Sequence, residues 1–218
     1  MDNLGEAQDV NKGLWPADQP IGSHYSVKEQ LPRMLRMLAR HNIKGTYFCE
    51  SWSLSVYPGA VRDLQDQGHE VAWHGYQHES WGGLSAEDER ANFDKSFEAA
   101  RQSELGVKQG ITILPFEWKT VDAFYYMEKF SAIRQSHGET AAPLSPSDFE
   151  SYLLAKIDEV IASRGYISIL FHPFLQTSEE KLAVMETILG RLSRDPTIWC
   201  APCGEVASWV ATHPSAFA

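Results

Sequence analysis

The sequence predicts an α/β protein of parallel strands wrapped by helices, on three observations. Short β-branched and aromatic runs alternate with amphipathic stretches at helical spacing; the connections between them are short; and no internal repeat or long linker divides the chain. At 218 residues one substantial core is the simplest reading, so residues 1–218 are taken as a single domain with an irregular segment at 1–25. A complete eight-unit barrel typically takes about 250 residues, so the alternatives are an open sheet or a shortened barrel.

Met1 to Tyr25 is rich in Gly, Asp, Asn and Pro and has neither helical nor strand period. Ser26 with Glu29 then has the form of a capping box. Val27, Leu31, Met34, Leu35 and Leu38 follow at helical spacing, and Asn42 is the stop signal. Lys44 to Cys49 reads as a strand, Tyr57 to Gln67 as a helix closed by Gly68, and His69 to Trp73 as a second strand. A helix is expected from about Ser85 to Glu104, a strand from Ile111 to Phe116, helical stretches at Asp122 to Phe130 and Asp148 to Ser163, and a loop over Ser136 to Ser147. The strand Tyr166 to Phe171 precedes a long helix opened by a second capping box, Thr177 with Glu180. Thr197 to Cys200 is a candidate last strand and Val206 to Val210 a closing helix.

Composition narrows the function. Hydrophobic residues at 43% and charged residues at 22% describe a globular chain rather than a disordered one. A formal charge of −10 without a Lys/Arg cluster repels phosphate backbones, so nucleic acid is not an expected partner. No apolar run is long enough to span a bilayer, and the first residues lack a basic start and apolar stretch. A cytoplasmic protein without a membrane partner is therefore expected, and its oligomeric state is left open. Cys49, Cys200 and Cys203 are too few to staple the domain. Cys200 and Cys203 have redox or zinc-ribbon spacing, but there is no second CxxC to complete a zinc site, and packing explains the pair better.

The chemical signal is concentrated in the segment GHEVAWHGYQH, where a strand ends in His74 and His78, four residues apart. Two imidazoles can meet one ion if the first ends the strand and the chain turns at once, as Gly75 permits. Ligands gather beyond the carboxyl ends of parallel strands. Alone, the spacing also suits one loop histidine and one surface histidine.

GHEVAWHGYQHE, preceded by KGTYFCE, resembles a motif region of the NodB-like polysaccharide deacetylases. Ile169-Leu-Phe-His-Pro173 is similar to that family's late Leu-His motif, and Leu114-Pro-Phe-Glu-Trp-Lys-Thr-Val-Asp122 to its segment carrying an acid and a Trp. The resemblance covers about Val27 to Val210. It implies a distorted, incomplete (β/α) barrel and a metal-dependent hydrolase that removes an acetyl group from an N-acetylated sugar or related amide, with a carbohydrate or small-molecule substrate. It also implies a divalent metal ion held by His74, His78 and Asn3. Zinc is the first expectation, with manganese, cobalt or nickel open. Asp2 falls at the position of the family's base and Asn3 at that of its metal-binding acid, where a carboxamide is a poorer donor; Asp9 is the fallback ligand. His172 would be the general acid, oriented by Asp122 or Glu117, while Trp81, Glu117 and Trp118 would contact substrate.

Each role has a plainer counterpart. His172 can be a core-edge residue at a strand end, Glu117 and Asp122 solvated acids near a helix start, and the tryptophans core filling. The chain also departs from the family pattern. Glu104-Leu-Gly-Val-Lys-Gln-Gly110 holds no Arg-Pro pair, and about one βαβ unit, on the order of 30 residues, is missing there. A metal- or carbohydrate-binding relative with impaired catalysis, a cytosolic small-molecule amidohydrolase on the same fold, and a CxxC redox protein are the alternatives.

Overall fold

The computed structural model describes residues 1–103 and 113–213. Two parallel strands form the sheet, β1 (Thr46–Cys49) and β2 (Glu70–Trp73), paired Thr46 to Glu70 through Cys49 to Trp73. The crossover between them carries α-helices at Ser51–Val56 and Pro58–Asp66. Gly68, at φ +79°, ends the second helix in the left-handed conformation that glycine adopts without a Cβ penalty.

The front of the chain is more ordered than its composition predicts. Phe48 donates its N–H to the Met1 carbonyl, and Asp2 bridges Phe48 in parallel, so the N-terminal residues extend the sheet by one pair. A short helix at Ala7–Asn11 follows. Gly5, at φ +81°, turns the chain where a Cβ would stand 2.4 Å from a Tyr57 ring carbon.

The helix expected from Ser26 begins differently. A π-turn at Ser26–Gln30 runs into the helix Leu31–Arg40, and Ser26 is buried inside the first turn instead of capping it. Its hydroxyl meets His24 Nδ1 at 2.7 Å, which removes it from the capping role. Leu31, Met34, Leu35 and Leu38 all lie in the core, each such burial contributing roughly 1.5–3 kcal/mol. Asn42, at φ 51°, follows the stop of this helix.

The later helices lie close to their expected places: Ala86–Gln102 capped by Ser85, Asp122–Tyr126, Pro146–Ser163, Glu179–Arg194 and Cys203–Thr212; a further short helix, Ser131–Ser136, is not among those expected. The capping box expected from Thr177 and Glu180 does not form; Ser178 caps the helix instead, its side chain accepting from the Lys181 N–H. A true capping box joins Ser145 and Asp148, and Ser131–Ser136 ends where the loop to Ser147 begins.

The strands are where expectation and structure part. Tyr166 to Phe171 forms no ladder beyond a single parallel bridge, in which Leu170 accepts from Asp122 N–H and donates to the Thr120 carbonyl. Ile111 lies outside the described residues, and Ile113 to Phe116 stay irregular with Ile113 86% exposed. Thr197 to Cys200 is also irregular. The β-rich composition of these runs supplies the propensity for strand, but a ladder needs successive residues paired with a neighbouring strand, and around Leu170 pairing stops at one bridge. Among the described residues, two paired strands, two isolated bridges and surrounding helices make a distorted, incomplete (β/α) barrel. No helix among the described residues is long and apolar enough to cross a membrane.

Candidate active site

The parallel register brings the carboxyl ends of the strands together, and the chemical groups sit there. Thr46, Phe48 and Glu50 alternate onto one face of the first strand, and Glu70, Ala72 and His74 onto the same face of the second. The hydrogen bond of 2.6 Å from Thr46 Oγ1 to Glu70 Oε2 marks that shared face. One step past the last paired residues, the His74 N–H donates to the Cys49 carbonyl at 2.9 Å, which puts Glu50 beside His74. Gly75 (φ +82°) makes the turn that returns His78 toward His74, and the two imidazole centroids lie 4.8 Å apart. Ser51 and Trp52 donate to the carbonyls of Gly75 and Tyr76, and Glu79 accepts from the N–H groups of Tyr76 and Gln77, so the turn is fixed from both sides.

Asp2 enters from the N-terminal extension of the sheet. Its Oδ1 lies 2.9 Å from His172 Nε2 and its Oδ2 3.6 Å from His74 Nε2. On the far side of the His172 ring, Nδ1 meets Asp122 Oδ1 at 2.5 Å, while the His172 backbone N–H donates to Asp122 Oδ2 at 2.8 Å. The buried Gln176 amide adds a third donor to Asp122 at 2.7 Å. Asp122, not Glu117, therefore touches His172.

Asp122 and Asp2 overcome the penalty of burial and raise the His172 pKa to about 10, and the His172 cation in turn holds the Asp2 carboxyl below its ordinary value despite its burial. These are two views of one buried ion pair. Burial lowers the pKa values of His74 and His78, which favours the neutral imidazoles that metal binding requires.

Glu50, His74 and His78 each offer one donor atom, and these atoms lie within 4.8 Å of one another. Glu50 is 1% exposed. One carboxylate oxygen accepts from the Leu4 N–H at 2.9 Å, the other is buried without a hydrogen-bond partner, and burial pushes its pKa up to about 8. His74 Nε2 is likewise buried and without a hydrogen-bond partner. Unpartnered buried polar atoms are costly, and a carboxylate with two imidazoles is a suitable donor set for a divalent transition ion. The residues present fit a metal.

Asn3 sits at φ 62° with its carbonyl accepting from Tyr47 OH at 3.0 Å, and its side-chain Oδ1 is buried without a hydrogen-bond partner. Asp9, the fallback, lies in the first turn of the short N-terminal helix and its backbone carbonyl accepts from Leu14 and Trp15. Glu117 turns to the long helix that begins at Pro146, pairing with Lys156 at 3.1 Å and Tyr152 at 3.3 Å. Trp118 packs edge-on against Phe116 and tilted against Phe130. The side chain of Trp81, which opens the turn Trp81–Gly83, lies outside the described residues. Cys200 and Cys203 are unbridged, and burial raises the Cys200 pKa, the opposite of what a reactive thiolate requires.

Known proteins share part of this sequence and most of this fold. The polysaccharide deacetylase family profile matches residues 18–116. The peptidoglycan deacetylase of Helicobacter pylori (strain ATCC 700392 / 26695) is 28% identical over 90 residues, 41% of this chain. Over these residues the chain resembles the polysaccharide deacetylase family. Solved polysaccharide deacetylase-type structures share the fold. One from Mycobacterium smegmatis aligns with TM-score 0.71 at 20% identity over 87% of this chain and 79% of its own. One from Pseudomonas aeruginosa PAO1 aligns with TM-score 0.71 at 16% identity over 98% and 84%. The PuuE allantoinase structure also reaches 0.71, at 17% identity over 87% and 75%. The match to the Helicobacter pylori peptidoglycan deacetylase spans 27% of that protein's length.

Proposed function

We propose that this chain is one catalytic unit that hydrolyses the amide of an N-acetylated sugar or a related amide, with a divalent ion held at His74 and His78. The observation that carries the reading is Asp2 set 2.9 Å from His172 and 3.6 Å from His74. The candidate base, acid and ion site thus form one cluster of side chains. The match to the polysaccharide deacetylase family model over residues 18–116 supports the same chemistry.

The two protonation states suit their tasks. Asp2, its pKa held low, is anionic at neutral pH and can take a proton from an attacking water. His172, with its pKa near 10, is protonated and can give one. When bound, the ion would polarise the amide carbonyl and lower the pKa of nearby water; zinc is the first choice for an imidazole-rich site, with manganese, cobalt and nickel as the other candidates. The water oxygen bonds to the carbonyl carbon as Asp2 accepts its proton. The C–N bond then breaks with its electron pair on nitrogen, and His172 Nε2 delivers a proton there, leaving a carboxylic acid and an amine; the acid loses its proton to solvent and becomes a carboxylate, and Asp2 returns its proton to His172. Asp122 keeps Nδ1 occupied so that Nε2 is the nitrogen that faces the reaction.

A second reading, a small soluble amide as substrate, is favoured by the sequence from Glu104 to Gly110, which holds no Arg-Pro pair and lies outside the described residues. Likeness to the PuuE allantoinase fold is compatible with it. Acetate release from acetylated chito-oligosaccharides, measured beside ammonia or carboxylate release from cyclic and linear amides, with and without chelator, tests both. Chelator-sensitive turnover of the oligosaccharide supports the first reading, turnover of the small amides alone supports the second, and no turnover of either by metal-loaded protein overturns both.

A further inference from the structure

We infer that Glu50 supplies the anionic ligand of the metal site, in the role that Asn3 would otherwise fill. The inference rests on the metal-dependent reading above and concerns which side chain completes the site.

Three observations converge on Glu50. The strand register sets it beside His74 on one face, so it needs no loop movement to reach the imidazoles. Its donor atom lies with those of His74 and His78 in a group no more than 4.8 Å across. One carboxylate oxygen is already anchored by Leu4 N–H, and the other is buried with no protein partner. A carboxylate with one oxygen anchored by a backbone donor and the other unpartnered has the form of a ligand oriented by its surroundings. A purely structural role would be served as well by an amide, which would spare the burial of an acid at 1% exposure.

Charge makes the same argument. Two neutral imidazoles and a carboxamide leave a divalent ion with no anionic donor among its protein ligands, whereas a carboxylate provides a strong hard donor and offsets one positive charge. Asp2, the other buried acid nearby, is held by the His172 cation. Glu50 is therefore the acid available to the ion, and the Asn at position 3 is balanced by a Glu at the end of the neighbouring strand.

The test is metal affinity, read without turnover. Stripped full-length protein is titrated with Zn2+ against a chromophoric chelator and with Co2+ by visible absorption, comparing wild type with Glu50→Gln, Glu50→Asp, Asn3→Ala and His74→Ala. Glu50→Gln keeps an acceptor for Leu4 N–H, so circular dichroism and thermal melting should report a folded chain. The expected result is a loss of Zn2+ affinity of about a hundredfold or more in Glu50→Gln, beyond the ~10–100-fold typical of residues that only orient a ligand. Glu50→Asp should retain part of the affinity, and Asn3→Ala should stay within about threefold of wild type. Wild-type affinity in folded Glu50→Gln overturns the inference while the metal reading stands. So does a loss in Asn3→Ala as large as that in His74→Ala, which decides the matter even if Glu50→Gln does not fold. Wild-type protein that binds neither ion overturns the metal reading and this inference together.

Discussion

Oδ1 of Asp2 stands 2.9 Å from Nε2 of His172, and Nδ1 of the same ring meets Oδ1 of Asp122, so one imidazole is clasped between two buried carboxylates. The arrangement separates two roles by environment. Asp122 is saturated by the His172 ring, the His172 backbone and the Gln176 amide. Asp2 has one oxygen turned to His172 and the other toward His74. In the proposed reaction Asp122 orients the imidazole, and Asp2 is the carboxylate that exchanges a proton.

Asp2→Asn should lower kcat by about 10²–10⁴-fold, the range of a general base, while leaving bound metal at the wild-type level. His172→Ala should cause a loss of the same order, with less effect on a substrate whose leaving nitrogen needs little protonation. Steady-state kinetics with elemental analysis of each variant checks this; unchanged kcat in folded Asp2→Asn removes Asp2 as base.

How much of this was legible in the sequence follows from what each feature depends on. His74, His78 and the helix Leu31–Arg40 are local signals: a strand end, a glycine and a 3.6-residue period. Asp2 and His172 are separated by 170 positions, and only resemblance to a known motif order joins them before the sheet does. Glu50 was missed because a single Glu after a strand carries no signal by itself. What places it beside His74 is the register Thr46 to Glu70, set by nonlocal pairing that no stretch of sequence states. The strand expected at Tyr166 to Phe171 fails for a related reason, since propensity is local and pairing is not. Ser26 shows the reverse case: a valid capping pattern lost to a neighbour, His24, that competes for the hydroxyl.

The buried pair also makes stability depend on pH. The His172 pKa, at about 10 in the fold, exceeds its ordinary value near 6.5, so its stabilisation is complete below about pH 6.5 and is lost as pH rises through about 10. The urea midpoint of chelator-treated protein should fall from pH 7 to pH 10, by the equivalent of a few kcal/mol at most. His172→Gln should flatten the profile in that window. A midpoint that is constant from pH 7 to 10 in the wild type contradicts the ion pair.

Gly5 is a second point of vulnerability, remote from proton chemistry. Its φ of +81° and the Tyr57 ring carbon 2.4 Å from a built Cβ leave no room for a side chain, and the Tyr57 hydroxyl is held by Glu6. Gly5→Ala should destabilise the fold by roughly 1–3 kcal/mol, through both backbone strain and displacement of the ring. Because the same segment delivers Asp2 and Leu4 to the site, kcat should fall along with the melting temperature. Calorimetry and kinetics on one preparation check both, and a Gly5→Ala protein of wild-type stability would contradict the packing seen here.

Removal of the ion should be felt by the fold as well as by catalysis. Glu50 and His74 each bury an atom that has no hydrogen-bond partner, and a ligand that binds only the folded chain stabilises it by mass action, about 2.7 kcal/mol at a hundred times its Kd. Chelation should therefore lower the melting temperature of metal-loaded protein and abolish turnover, and restoring a divalent ion should recover both. His78→Ala, with an imidazole missing, should melt at the same temperature with and without added ion. If chelator leaves the wild-type melting temperature and turnover unchanged, these side chains are structural and the hydrolysis runs on Asp2 and His172 alone.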